Sequence, residues 1–178
     1  MEAVRPASCP GCGTCARPVH GGLALHGHGL RERQIRGLPS LTGPPALRTI
    51  RARRYVCQRC DAVILVVPAA VGRRRLFDLA TIAWALARWL NDGVSSRTVR
   101  THVSPLPFVG DSARRAWSQL RRWARGAAEI LRPARPVRQD ASVAGARAVL
   151  DVIGACAPLS LAHRPLAERV FAAMATAA

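Results

Sequence analysis

A chain of 178 residues with 49% hydrophobic content has enough apolar mass for a core, which excludes wholesale disorder. It carries 27 basic residues against 10 acidic ones, a formal net charge of +17. An excess this large disfavours self-association and favours polyanions, with nucleic acid as the first expected partner.

Every basic residue is arginine, and the excess is graded along the chain. Residues 1–75 hold 13 Arg and 3 acids, residues 76–140 hold 11 and 5, and residues 141–178 hold 3 and 2. Polyanion contacts are therefore expected in the first three quarters. No apolar signal segment precedes the cysteines, and the apolar run near residues 76–90 is interrupted by Thr81 and Arg88. It is too short to span a bilayer. The expected location is the cytoplasm, near the nucleoid, where thiols stay reduced.

The first motif is "CPGCGTC", with Cys9, Cys12 and Cys15. Cys9-x-x-Cys12 and a second pair, Cys57-x-x-Cys60, read as four thiolates for one structural Zn2+. Tight Cys-x-x-Cys turns aim both sulfurs at one ion, and the ion supplies folding energy that a loop-rich segment lacks. Pro10, Gly11 and Gly13 suit the first turn. The second, "CQRCD", lacks those residues and reads as the weaker half. Cys15 could replace a ligand or stand aside, and His20, His26 and His28 are alternative nitrogen donors. Cys156 reads as a small core residue. A redox role for the pairs wants a thioredoxin-like βαβ pattern, which is lacking.

The 44 residues between Cys12 and Cys57 must carry a longer hairpin. "LALHGHGLRERQI", "ALRTIRARRYVC" and "AVILVVP" read as strands, with "GLPSLTGPP" as a loop. At "LFDLATIAWALARWL" the pattern becomes apolar almost all round, which predicts a buried helix ending at Asn91-Asp92-Gly93. "SSRTVRTHV" predicts a short helix capped by Ser95 or Ser96 and closed by Pro105 and Pro107. "GDSARRAWSQLRRWARGAAEIL" predicts a third helix, with Ala113, Trp117, Leu120, Ala124, Ala127 and Leu131 as its apolar stripe.

The fold class expected is α+β: a β-rich zinc ribbon over residues 1–72, then an all-α, helix-turn-helix-like region over 76–131. A Pro/Arg-rich linker, 132–140, leads to helices over 141–178 that split near Pro158 and offer a homodimer contact. In a helix-turn-helix, Arg97, Thr98, Arg100 and Thr101 face the groove. Arg114, Arg115, Arg121, Arg122 and Arg125 of the third helix compete for that role. Arg31, Arg33, Arg51, Arg53 and Arg54 are the candidate contacts of the ribbon.

"CPGCG", "HGHGLRERQIRGLP", "IRARRYVCQRC" and the apolar run after them together resemble the zinc-binding N-terminal domain of bacterial insertion-sequence transposases. Small uncharacterised bacterial proteins carrying the same ribbon are similar too. Arg53-Arg54-Tyr55-Val56-Cys57 matches the strand that enters that family's second cysteine pair. The likeness covers residues 7–70, and loosely to about 125. It implies zinc on Cys9, Cys12, Cys57 and Cys60 and binding to DNA ends or repeats. Catalysis does not carry over, because the family's three carboxylates sit on a separate nuclease-like domain that the ten scattered acidic residues here do not supply. The expected function is that of a non-catalytic DNA-binding protein, either a transposase-like module or a regulator derived from one. A protein-interaction module and an RNA-binding ribbon are the alternatives.

Overall fold

The computed structural model describes residues 5–72, 75–111, 115–133 and 142–176. Arg114 and residues 134–140 of the expected linker lie outside the described residues. The fold is mixed: an N-terminal three-stranded antiparallel sheet, then helices. Two compact units form. One comprises Met1–Gln34 and Thr49–Pro68, the other Ile35–Arg48 and Ala69–Ala178.

The strands are β1 (Leu25–Gly37), β2 (Ala46–Cys57) and β3 (Val63–Val66), in the order β1-β2-β3. β3 pairs antiparallel with β2, Val56 opposite Val63 and Arg53 opposite Val66. The first unit has a small core of Cys9, Ala16, Leu25 and Cys57, with Ala62 and Ile64 against it. So little apolar surface contributes little stability by burial, which is the setting in which a structural metal matters.

In the second unit, α1 (Leu79–Leu90) buries nine residues, among them Ile82, Ala83, Leu86 and Leu90. It begins at Asp78, whose carboxylate accepts the Thr81 N–H at 2.7 Å, and stops at Asn91 before Gly93 at φ +68°. The tip of the β1–β2 hairpin, which belongs to this unit, clamps that start. Asp78 N–H donates to Arg36 O (3.2 Å), Arg36 N–H to Leu76 O (2.7 Å), Leu38 N–H to Thr81 Oγ1 (2.8 Å), and Arg48 pairs with Asp78 at 2.6 Å. Gly37, at φ +152°, allows the approach, since a Cβ there would strike the Asp78 and Thr81 side chains.

α2 (Ser96–Val103) follows a short turn and buries Val99 and Val103. Its cap is Ser95, which accepts the Thr98 N–H at 3.1 Å. Among the described residues the third predicted helix is interrupted at residues 115–117, and beyond them it continues as α3 (Ser118–Arg125) and α4 (Ala127–Leu131). Trp117 is extended (φ −77°, ψ 93°) and sets its ring edge-on to Phe77 and Trp123, at 5.9 and 5.1 Å. Gly126 divides the pieces, as a residue that costs about 1 kcal/mol in a helix. The buried stripe accordingly includes Trp123 and Ile130 beside Leu120, Ala124, Ala127 and Leu131.

α5 (Val143–Ala155) starts on a Ser142 cap, and α6 (Leu166–Thr176) packs extensively on α1. A 3₁₀ turn, Leu159–Leu161, lies between them, just after Pro158. No helix among the described residues is long and apolar enough to cross a membrane.

Candidate metal centre and arginine-rich faces

Each Cys-x-x-Cys forms a turn of the same backbone design. In the first, Gly13 N–H bonds Cys9 O (2.8 Å) and Cys9 N–H bonds Thr14 O (2.8 Å). In the second, Asp61 N–H bonds Cys57 O (2.9 Å) and Cys57 N–H bonds Ala62 O (3.0 Å). Gly13 and Asp61 both have positive φ, +73° and +55°. The second turn is therefore not the weaker half. Asp61 takes the left-handed position that Gly13 takes in the first, a conformation Asp tolerates better than most residues.

The two turns bring the four sulfurs of Cys9, Cys12, Cys57 and Cys60 within 4.8 Å of one another. Cys9 Sγ lies 3.7 Å from Cys60 Sγ, and Cys12 Sγ lies 3.7 Å from Cys57 Sγ. Tetrahedral zinc–sulfur bonds of about 2.3 Å put sulfurs about 3.8 Å apart, so the set fits a four-coordinate thiophilic ion. Cys9 and Cys57 are buried, while Cys60 reaches the surface. Gly11 N–H points at Cys9 Sγ at 3.4 Å. Such a site is closed by its four ligands and suits a structural ion.

The other candidates stand apart. Cys15 bridges Ser8 through its backbone and turns its thiol to Arg17 O at 3.3 Å, so it flanks the first turn. His26 Nε2 sits 2.6 Å from Leu23 O. His20, His26 and His28 are not in the cluster. Cys156 is exposed at the end of α5 and is no core residue, its thiol bonded to Val152 O at 3.4 Å.

Four thiols so close cannot share one proton affinity. The Thr14 hydroxyl first, and its backbone N–H second, lower Cys12 to about 6. At Cys60 the Ala62 backbone bond pulls the other way. Cys12, burial, Cys9 and Cys57 together outweigh it and push Cys60 up to about 12.

The candidate nucleic-acid residues fall on several elements. In the sheet, Arg31 and Arg51 are exposed and Arg33 is half-buried. Arg54 donates to His28 O at 3.1 Å, and Arg53 lies over the Tyr55 ring at 5.9 Å, its guanidinium against Gly27. On α2, Arg97, Thr98 and Thr101 are exposed. Arg100 instead stacks on Phe108 at 3.4 Å, and burial there lowers its pKa. Thr98 and Thr101 also serve the helix itself: Thr98 Oγ1 meets Ser95 Oγ at 2.8 Å, and Thr101 Oγ1 donates to Thr98 O at 2.8 Å. Arg115, Arg121, Arg122 and Arg125 are exposed beside and along α3.

Sequence reasoning passed over Thr14, Arg59 and Asp61, which belong to the two cysteine turns or flank them: Thr14 meets Cys12 Sγ, Arg59 donates to Thr14, and Asp61 closes the second turn. The signal for Asp61 was its place directly after the second Cys-x-x-Cys, where Gly13 follows the first. Comparison with protein-family models, curated proteins and solved structures finds no match to the chain.

Proposed function

We propose that the protein is a non-catalytic, zinc-stabilised DNA-binding module, similar in design to the end-binding part of insertion-sequence transposases or a regulator derived from one. One Zn2+ on Cys9, Cys12, Cys57 and Cys60 holds the first unit together. The observation that carries the reading is where the positive charge stands. Arg31, Arg51, Arg97, Arg121 and Arg122 are exposed, and among the described residues the ion pairs Arg48–Asp78, Arg88–Asp92 and Arg164–Glu168 use none of them. Exposed guanidiniums supply phosphate contacts and bidentate pairing to guanine. Arg97 and Thr101, one turn apart on α2, suit a groove-facing role, whereas Arg100 is taken up by Phe108.

Fluorescence anisotropy with labelled duplex DNA tests the reading. Affinity falls steeply between about 50 and 200 mM salt if counterions are released. Binding indifferent to salt, or none at all, overturns it.

One observation favours the interaction-module alternative: Val63 and Leu65 of the short strand β3 are 58% and 37% exposed. On that reading nucleic acid is lost after nuclease and high-salt washes, and a defined protein partner remains.

A further inference from the structure

We propose that Arg59 and Thr14 form a clasp across the two cysteine turns that positions and shields the metal-bound sulfur of Cys12. The proposal rests on the zinc reading above. Arg59 lies between the ligands of the second turn and Thr14 directly behind those of the first, 45 residues away. Arg59 Nη1 is 3.3 Å from Thr14 Oγ1, and the same oxygen is 3.2 Å from Cys12 Sγ.

The direction of this chain of bonds follows from the groups themselves. A guanidinium only donates, so Arg59 donates to the Thr14 oxygen. In the free thiol, Cys12 S–H also donates to that oxygen. A thiolate on a metal has no proton, so its bond to Thr14 must reverse. The hydroxyl carries one proton, and with Arg59 occupying a lone pair that proton is left to point at Cys12 Sγ. The order on the metal is Arg59, then Thr14, then sulfur.

The site has a use for such a device. Four thiolates around a divalent ion leave two formal negative charges, which outer hydrogen bonds and a nearby cation offset. Cys9 is buried and receives the Gly11 N–H at 3.4 Å. Cys12 and Cys60 sit nearer solvent, where protons and chelators reach them before the buried pair. Thr14 and Arg59 are thus positioning residues that hold one exposed sulfur on the ion and tie the two turns to each other.

The test measures zinc transfer from the full-length zinc-loaded protein to excess chelator, followed with a zinc-responsive dye. Thr14→Val removes the hydroxyl but keeps the backbone N–H. Arg59→Gln removes the cation, and Arg59→Lys restores a donor without the planar fork. Thr14→Val and Arg59→Gln are expected to release zinc about 10-fold faster, Arg59→Lys less so. The sulfur-to-metal charge-transfer band of the cobalt form is expected at lower energy in Thr14→Val. Because Arg59 acts chiefly through Thr14, Arg59→Gln is expected to add less in a Thr14→Val background than in the wild type. Arg17→Gln controls for the loss of one charge in the same unit and is expected to match the wild type.

Wild-type release rates and spectra in both single variants overturn the clasp while leaving the zinc reading standing. Additive effects in the double variant, or an equal effect of Arg17→Gln, overturn the relay through Thr14. A wild-type protein that binds neither zinc nor cobalt overturns the zinc reading and the clasp together.

Discussion

Gly13 and Asp61 are structural equivalents: each follows a Cys-x-x-Cys, has positive φ, and sends its N–H to the carbonyl of the first cysteine. The difference between them is a Cβ. For L-residues this backbone region costs about 1–2 kcal/mol, least for Asp and Asn. Asp61→Gly is expected to keep or raise the thermal stability of the zinc-loaded protein. Asp61→Val, β-branched at the same φ, is expected to lower it by about 1–2 kcal/mol. Calorimetry of the two variants checks this, and a Val variant as stable as the Gly variant refutes it.

Metal content tests the ligand set directly. Cys57→Ser is expected to lose the bound zinc, and Cys15→Ser to keep it, because Cys15 turns its thiol to Arg17 O. Elemental analysis of the purified proteins gives the stoichiometry, expected at one ion per chain. Trp84, Trp89, Trp117 and Trp123 all belong to the second unit. Tryptophan emission is therefore expected to change little on chelation, while amide exchange quickens over residues 7–34 and 49–66. A collapse of the tryptophan signal on chelation would show that the two units unfold as one.

The strands, α1 with its stop, and the Cys-x-x-Cys pairs were legible because each rests on a local pattern: alternation, an all-apolar run, or a ligand spacing. What was not legible rests on contacts made at a distance. The 22-residue stretch from Gly110 reads as one helix by period, yet Trp117 leaves the helical path to meet Phe77, 40 residues earlier. Arg100 has the spacing of a groove-facing residue and is drawn instead onto Phe108. Arg36–Gly37, strand by pattern, works as a clamp on α1. No rule of spacing assigns Arg59 to Thr14 across 45 residues.

The hairpin clamp predicts a ranking of stabilities. Asp78 caps α1 through Thr81, accepts from Arg48 at 2.6 Å, and is 4% exposed. Losing an N-cap costs about 1 kcal/mol, and a charge-assisted bond adds about 1.5 kcal/mol or more. Asp78→Ala is therefore expected to cost about 2–3 kcal/mol. Arg48→Ala keeps the Thr81 cap but leaves the buried Asp78 carboxylate without its cation, so it is expected to cost about 1.5 kcal/mol. Urea unfolding followed by tryptophan emission measures both. Equal losses would mean that the ion pair, and not the cap, dominates.

The metal-free thiols carry opposite pH signatures. Thr14 lowers Cys12 to about 6, from an ordinary thiol value of 9.0. A depressed acid favours the folded form where it is ionised. Its contribution is complete above the unfolded value and fades as pH falls from about 9 through about 6. Cys60, raised to about 12 against the backbone bond from Ala62, has the reverse sign. Its neutral thiol favours the folded form below about 9, and that contribution is lost as pH rises through about 12. Near neutral pH, Cys12 is thus the thiolate and Cys60 the thiol, although both are open to solvent. Since the thiolate is the nucleophile, iodoacetamide at pH 7 is expected to label Cys12 of the metal-free protein well before Cys60. Mass spectrometry of the digested product reads the order. Thr14→Val is expected to slow labelling of Cys12 at pH 7, because losing the hydroxyl, the largest of the groups that lower its pKa, leaves more of its thiol protonated. Equal rates at Cys12 and Cys60 in the wild type, with Thr14→Val unchanged, would show that Thr14 does not hold the proton off that sulfur.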